Sequence, residues 1–144
     1  QNLTVLDISS NGLGPKGAGL LASAMKFSSS ITSVNLSSNK LCGIDSRYSP
    51  SHPDYDPTGI QAIANALSVS SSMKKLIIFK NNLGDEGVGI ITSAVQGKEI
   101  SLCGAESGQT ELDLSKQGLG PDDVKIIAWE LSAGFFSSSM NTLK

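Results

Sequence analysis

Residues 3–13 read Leu-Thr-Val-Leu-Asp-Ile-Ser-Ser-Asn-Gly-Leu, with apolar side chains at Leu3, Leu6, Ile8 and Leu13 and an amide at Asn11. The frame LxxLxLxxNxL returns at Ile31, Val34, Leu36, Asn39 and Leu41, and again at Met73, Leu76, Ile78, Asn81 and Leu83. A weaker copy follows at Gln109, Leu112, Leu114, Gln117 and Leu119, and Met140 with Leu143 begins a fifth. A fixed internal frame of this kind marks a chain built from stacked copies of one unit. The central residues alternate like a short strand, and the amide marks a turn.

A second segment follows each of the first four copies: GAGLLASAM from Gly17, GIQAIANAL from Gly59, GVGIITSAV from Gly87 and DVKIIAWEL from Asp123. Aligned, they give inward rows Ala18/Ile60/Val88/Val124, Leu21/Ile63/Ile91/Ile127 and Met25/Leu67/Val95/Leu131. Offsets of three and four make one helical stripe. Pro15, Pro57 and Pro121 stand at three of the helix starts, where a missing N–H costs little. Each unit is therefore a strand, a turn and a helix whose greasy side is buried only by its neighbours. Helices are wider than strands, so such a stack curves with its parallel sheet concave. Asn11, Asn39 and Asn81 are expected in a row, each both donating to and accepting from backbone at the turns. Gln117 is expected to give a looser turn.

These residues resemble leucine-rich repeat proteins of the ribonuclease-inhibitor type, the long-repeat subfamily. The resemblance covers nearly the whole chain and implies an α/β fold: a right-handed βα horseshoe segment, or solenoid, with a concave parallel sheet and helices on the convex side. It implies one domain over residues 1–144, four units and the start of a fifth. It also implies a choice of functions, since the same type supplies the ligand-sensing ends of NOD-like receptors and the GTPase-activating proteins of Ran. The acidic tail of the Ran activators is not seen here.

Composition narrows the chemistry. The chain of 144 residues has a net charge of −2, one His and two Cys. It lacks the basic footprint of a nucleic-acid binder, an apolar run long enough to cross a membrane and enough imidazoles for a histidine metal cluster. Cys42 and Cys103 fall in different phases of their units, so no bridge is expected between them, and free thiols fit a cytoplasmic setting. Gly12-Leu13-Gly14-Pro15-Lys16-Gly17 is a literal GxGxxG, but its later copies carry Asp85, Glu86, Asp122 and Asp123, which repel phosphate. No cofactor, metal or catalytic set is expected, and the chain reads as a non-enzymatic protein-interaction module.

Departures from the frame are where binding is expected. The outward strand positions of the third copy are Lys75, Ile77, Phe79 and Lys80, where the other copies are small and polar. Ile77 and Phe79 are expected as apolar anchors on the concave face, with Lys75 and Lys80 selecting an acidic protein partner. The insertion 44–57 holds Arg47, Tyr48, His52 and Tyr55, among them the only His and both Tyr of the chain, and is expected on the sheet rim as a second contact. A further insertion, 98–108, contains Ile100 and Leu102, which suit a short extra strand. Trp129 is expected to face outward. The bare strand at each end suggests a piece of a longer array, or ends that pair with further repeats or another chain. A structural block in a larger assembly and a part of an immune-type sensor are the remaining alternatives.

Overall fold

The computed structural model describes residues 2–133 and 142–143. Elements alternate as β1 (Val5–Asp7), α1 (Gly14–Phe27), β2 (Ser33–Asn35), α2 (Thr58–Val69), β3 (Lys75–Ile77), α3 (Gly84–Val95), β4 (Glu111–Leu112), α4 (Pro121–Ala133) and β5 (Thr142–Leu143). Strands β1, β2 and β3 form one parallel sheet in chain order, with Leu6, Val34 and Leu76 in register. The helices pack in the same order, α1 on α2, α2 on α3 and α3 on α4.

The core lies between sheet and helices. Val34, Leu36, Leu76 and Ile78 from the strand side meet Ile60, Ile63, Leu67 and Ile91 from the helices, all fully buried. Leu6, Ile8, Leu13 and Leu21, at the same positions of the first unit, are half-buried and pack against this core. Gly59 sets the approach of α1 to α2, because a Cβ there would stand 2.7 Å from the Cα of Pro15.

The turns obey one backbone rule. Ser10, Ser38, Lys80 and Lys116 have φ near +60°, and so do Gly12, Lys40, Asn82 and Gly118 two residues on. Between these two left-handed residues sits the amide of each unit. Asn39 donates from Nδ2 to the carbonyls of Ile8 and Leu36, and its Oδ1 accepts the N–H of Asn11 at 2.8 Å. Asn81 repeats the pattern one unit on, with Oδ1 accepting the N–H of Asn39 at 2.8 Å and Nδ2 donating to Leu36, Ile78 and Phe79. The expected row of turn amides is present through the third unit.

The fourth unit departs from the expected frame in two ways. The place beside β3 is taken by the insertion 98–108: Ser101 bridges Lys75 in parallel, its carbonyl accepting the N–H of Leu76 and its N–H donating to Lys74. Strand β4 instead pairs with β5, Glu111 against Thr142. Helix α4 is also turned by about one residue from the expected stripe. Its buried face is Asp123, Ile126 and Glu130, whereas Val124 is 55% and Leu131 37% exposed. The cause is the new neighbour. A buried segment whose backbone and hydroxyl need partners faces α4, and Glu130 supplies them. Gln117 is exposed and takes no place in the amide row. Trp129 is half-buried against the core rather than outward. Met140, the expected start of a fifth copy, lies outside the described residues.

Candidate functional site

The insertion 44–57 is an ordered loop held from both sides. Its start is tied by an Asx turn: Asp45 Oδ1 accepts the N–H of Arg47 at 2.9 Å, and Asp45 Oδ2 takes the Arg47 guanidinium at 2.8 Å. Hydrogen bonds from Arg47 hold the Asp45 carboxyl down at about 2. Asn82, at the turn of the third unit, donates to the carbonyls of Asp45 at 3.0 Å and Tyr48 at 2.6 Å. The end of the loop is pinned by Tyr55, whose hydroxyl donates to the carbonyl of Leu83. Asp56 N–H returns to the Cys42 carbonyl at 2.8 Å. Gly84, with φ +71°, lies where a side chain would run into Pro50.

On this frame three side chains form a stack. The Arg47 guanidinium carbon lies 5.6 Å from the centre of the Tyr48 ring, and the rings of Tyr48 and His52 are 4.4 Å apart at centroids with an interplanar angle of 44°. Tyr48 remains 44% exposed. His52 is oriented by its own turn, its Nδ1 accepting the N–H of Asp54 at 3.1 Å. Tyr55 plays a different part from the one expected of it. Burial pushes its phenol up, well past the usual tyrosine value, and its hydroxyl is spent on the scaffold. The Cys42 thiol beside it is pushed up to about 11, again by burial. Such a thiol is un-ionised and inert at neutral pH.

The strand residues expected as a second surface are placed differently. Phe79 is 2% exposed and lies in the core cluster with Leu102, Cys103 and Ala105. Ile77 is half-buried, its Cδ1 close against Gly104. The expectation of two open apolar anchors is thus corrected: Phe79 is buried in the core, and the insertion 98–108 lies against the sheet at Lys75 and Ile77. Lys75 is ion-paired with Glu106 of the same insertion. Lys80 stays exposed, and its backbone N–H donates to Asp123 Oδ1 at 3.0 Å.

Asp122 and Asp123 read from the sequence as a charged helix start; their bonds to the third unit, and the part of Glu130, were not foreseen. Asp123 accepts from Lys80 N–H and from Gly120 N–H, so it closes the start of its own helix and clasps the turn of the third unit together. Asp122 Oδ2 accepts the N–H of Gly84 at 2.9 Å. Glu130, fully buried, accepts the Ser101 hydroxyl at 2.7 Å and the Leu102 N–H at 2.6 Å. Burial raises its pKa against the pull of these hydrogen bonds. An acid in a helical row otherwise held by Ala24, Ala66 and Ala94 was the available signal.

Among the described residues, no group of three or more His, Cys, Asp or Glu is placed to hold a metal ion, and no helix is long and apolar enough to cross a membrane. No curated protein sequence matches the chain. Leucine-rich repeats generally mediate protein–protein interaction and are typically non-enzymatic. The leucine-rich repeat family model matches residues 1–22 and 69–89, which are the first and third units, each into its helix, and these matches support a leucine-rich repeat protein.

Proposed function

We propose that the chain is a non-catalytic protein-binding module, a segment of a curved repeat solenoid of the ribonuclease-inhibitor-like kind, acting in the cytoplasm. Its contact surface is the rim loop 44–57 with the adjoining turns. The observation that carries this reading is the cluster of exposed Arg47 and Tyr48 with half-buried His52, on a loop whose backbone is already fixed by Asn82 and Tyr55. Tyrosine and arginine gain large contact area for few ordered torsions, and a preordered loop loses little entropy on docking. The two buried thiols suit a reducing compartment. Lys80 continues the surface from the rim toward the sheet, while Phe79, being buried, contributes no contact.

Site-specific photo-crosslinking tests the reading. A benzophenone amino acid in place of Tyr48 is expected to capture discrete protein partners from cell extract. The same probe at Val69, exposed on α2, is expected to capture none of them. Equal capture at both positions, or none at position 48, contradicts the proposal.

A further inference from the structure

Between the turn of the second unit, the turn of the third and the start of α4 lies an open cleft of about 340 Å³, lined by Lys40, Asp45, Lys80, Asn82, Gly118 and Asp122 among others. Its acidic groups are already engaged. Asp45 is paired with Arg47. Asp122 holds the Gly84 N–H and has Lys125 at 3.7 Å. Asp123, also in the wall, is buried and bonded twice to backbone N–H. The two lysines hold no ion pair, although Lys40 adds to the pull that lowers Asp45. Neither Lys40 nor Lys80 takes part in an ion pair among the described residues, and both are exposed. Lys80 reaches across the cleft, its ammonium 3.6 Å from where a Cβ on Gly118 would stand. Both lysines have left-handed backbone, φ +53° and +62°. The equivalents of Lys40 in the first and fourth units are Gly12 and Gly118.

We propose that this cleft receives an acidic side chain of a protein partner, its carboxylate held between Lys40 and Lys80. The inference rests on the rim-loop reading and gives that surface its charge preference. The cleft is large enough for a side chain with part of its backbone. Asp45 and Ser46, in its wall, lead directly into the Arg47–Tyr48–His52 stack, so a segment crossing the rim meets the aromatic surface and the lysines together. An incoming carboxylate displaces no ion pair, because every acid in the wall already has its own partner.

The test is fluorescence anisotropy with a labelled peptide of alternating glutamate and serine, its glutamine counterpart, and free glutamate as competitor. The glutamate peptide is expected to bind about tenfold or more tightly than the glutamine peptide, less so as salt is raised. Lys40→Asn with Lys80→Asn removes both charges while suiting left-handed backbone. This double variant is expected to bring the glutamate peptide down to the level of the glutamine one. If it unfolds, Lys80→Asn alone is expected to cost about threefold. Lys26→Asn with Lys74→Asn, exposed lysines outside the cleft, is expected to change nothing. Undiminished binding by the cleft variants, an equal loss in the control pair, failure of the glutamate peptide to bind, or full displacement by millimolar free glutamate overturns the proposal. If both peptides bind alike and Tyr48→Ala abolishes both, the charge assignment fails while the rim-loop reading stands.

Discussion

Between β1 and β3 the turns are joined by neutral groups, and between β3 and α4 the same backbone positions are held by carboxylates. Ser10 N–H donates to the Ser37 carbonyl and Ser38 N–H to that of Phe79, but Lys80 N–H, next in the series, donates to Asp123. Gly14 N–H donates to the Asn39 carbonyl, whereas its equivalent Gly84 donates to Asp122. The amide pattern propagates because an asparagine both donates and accepts, so each copy presents to the next what it received from the last. A carboxylate only accepts. It can finish a row of donors but cannot hand the pattern on, and the array changes register where the acids take over.

The largest effect that separates the two regions is expected at the buried amide. Asn81→Ala removes three donated bonds and strands the N–H groups of Asn39 and Leu41, so it is expected to cost about 3 kcal/mol or more in urea unfolding. Asn11→Ala, at the same position in the open first unit, is expected to cost less than about 1 kcal/mol, since the backbone groups it leaves can bond water. Equal losses would remove the claim that the row draws its strength from neighbours on both sides.

The junction is sharpened by Glu130. Its folded pKa is raised, so its contribution to stability is fully present below the ordinary carboxyl value and is lost as pH rises through the raised one. Stability measured across that window is expected to fall with rising pH in the native protein, and Glu130→Gln is expected to flatten the slope. Glu130→Ala is expected to cost about 2 kcal/mol at the acidic end of the window, by leaving the Leu102 N–H and Ser101 hydroxyl buried without a partner, and less as pH rises. An unchanged slope in Glu130→Gln would show that another group titrates.

The regular part was legible from residue spacing alone, because Leu6, Val34 and Leu76 recur at one fixed offset from Asn11, Asn39 and Asn81. Strand order and the amide row followed directly. The fourth unit was misread because the frame at Gln109 looked like the next copy, while the true neighbour of β3 is the short Ser101 segment, which carries no frame. Strand alternation placed the Phe79 side chain on the open face, but it lies in the core. On the rim, residue types singled out the insertion 44–57, but could not divide its two tyrosines between scaffold and surface. Only the hydrogen bond to Leu83 does so for Tyr55, and only the stack with Arg47 and His52 for Tyr48.

The central claim is that the rim loop is ordered before any partner arrives. Amide hydrogen exchange at Tyr48, His52, Tyr55 and Asp56 tests it most directly, because each donates a backbone hydrogen bond within the loop or to Cys42. The native protein is expected to protect all four. Tyr55→Phe is expected to lose that protection while the amides of Leu36 and Leu76 keep theirs, at a stability cost of about 1 kcal/mol. Exchange of the four loop amides at unprotected rates in the native protein would contradict the account.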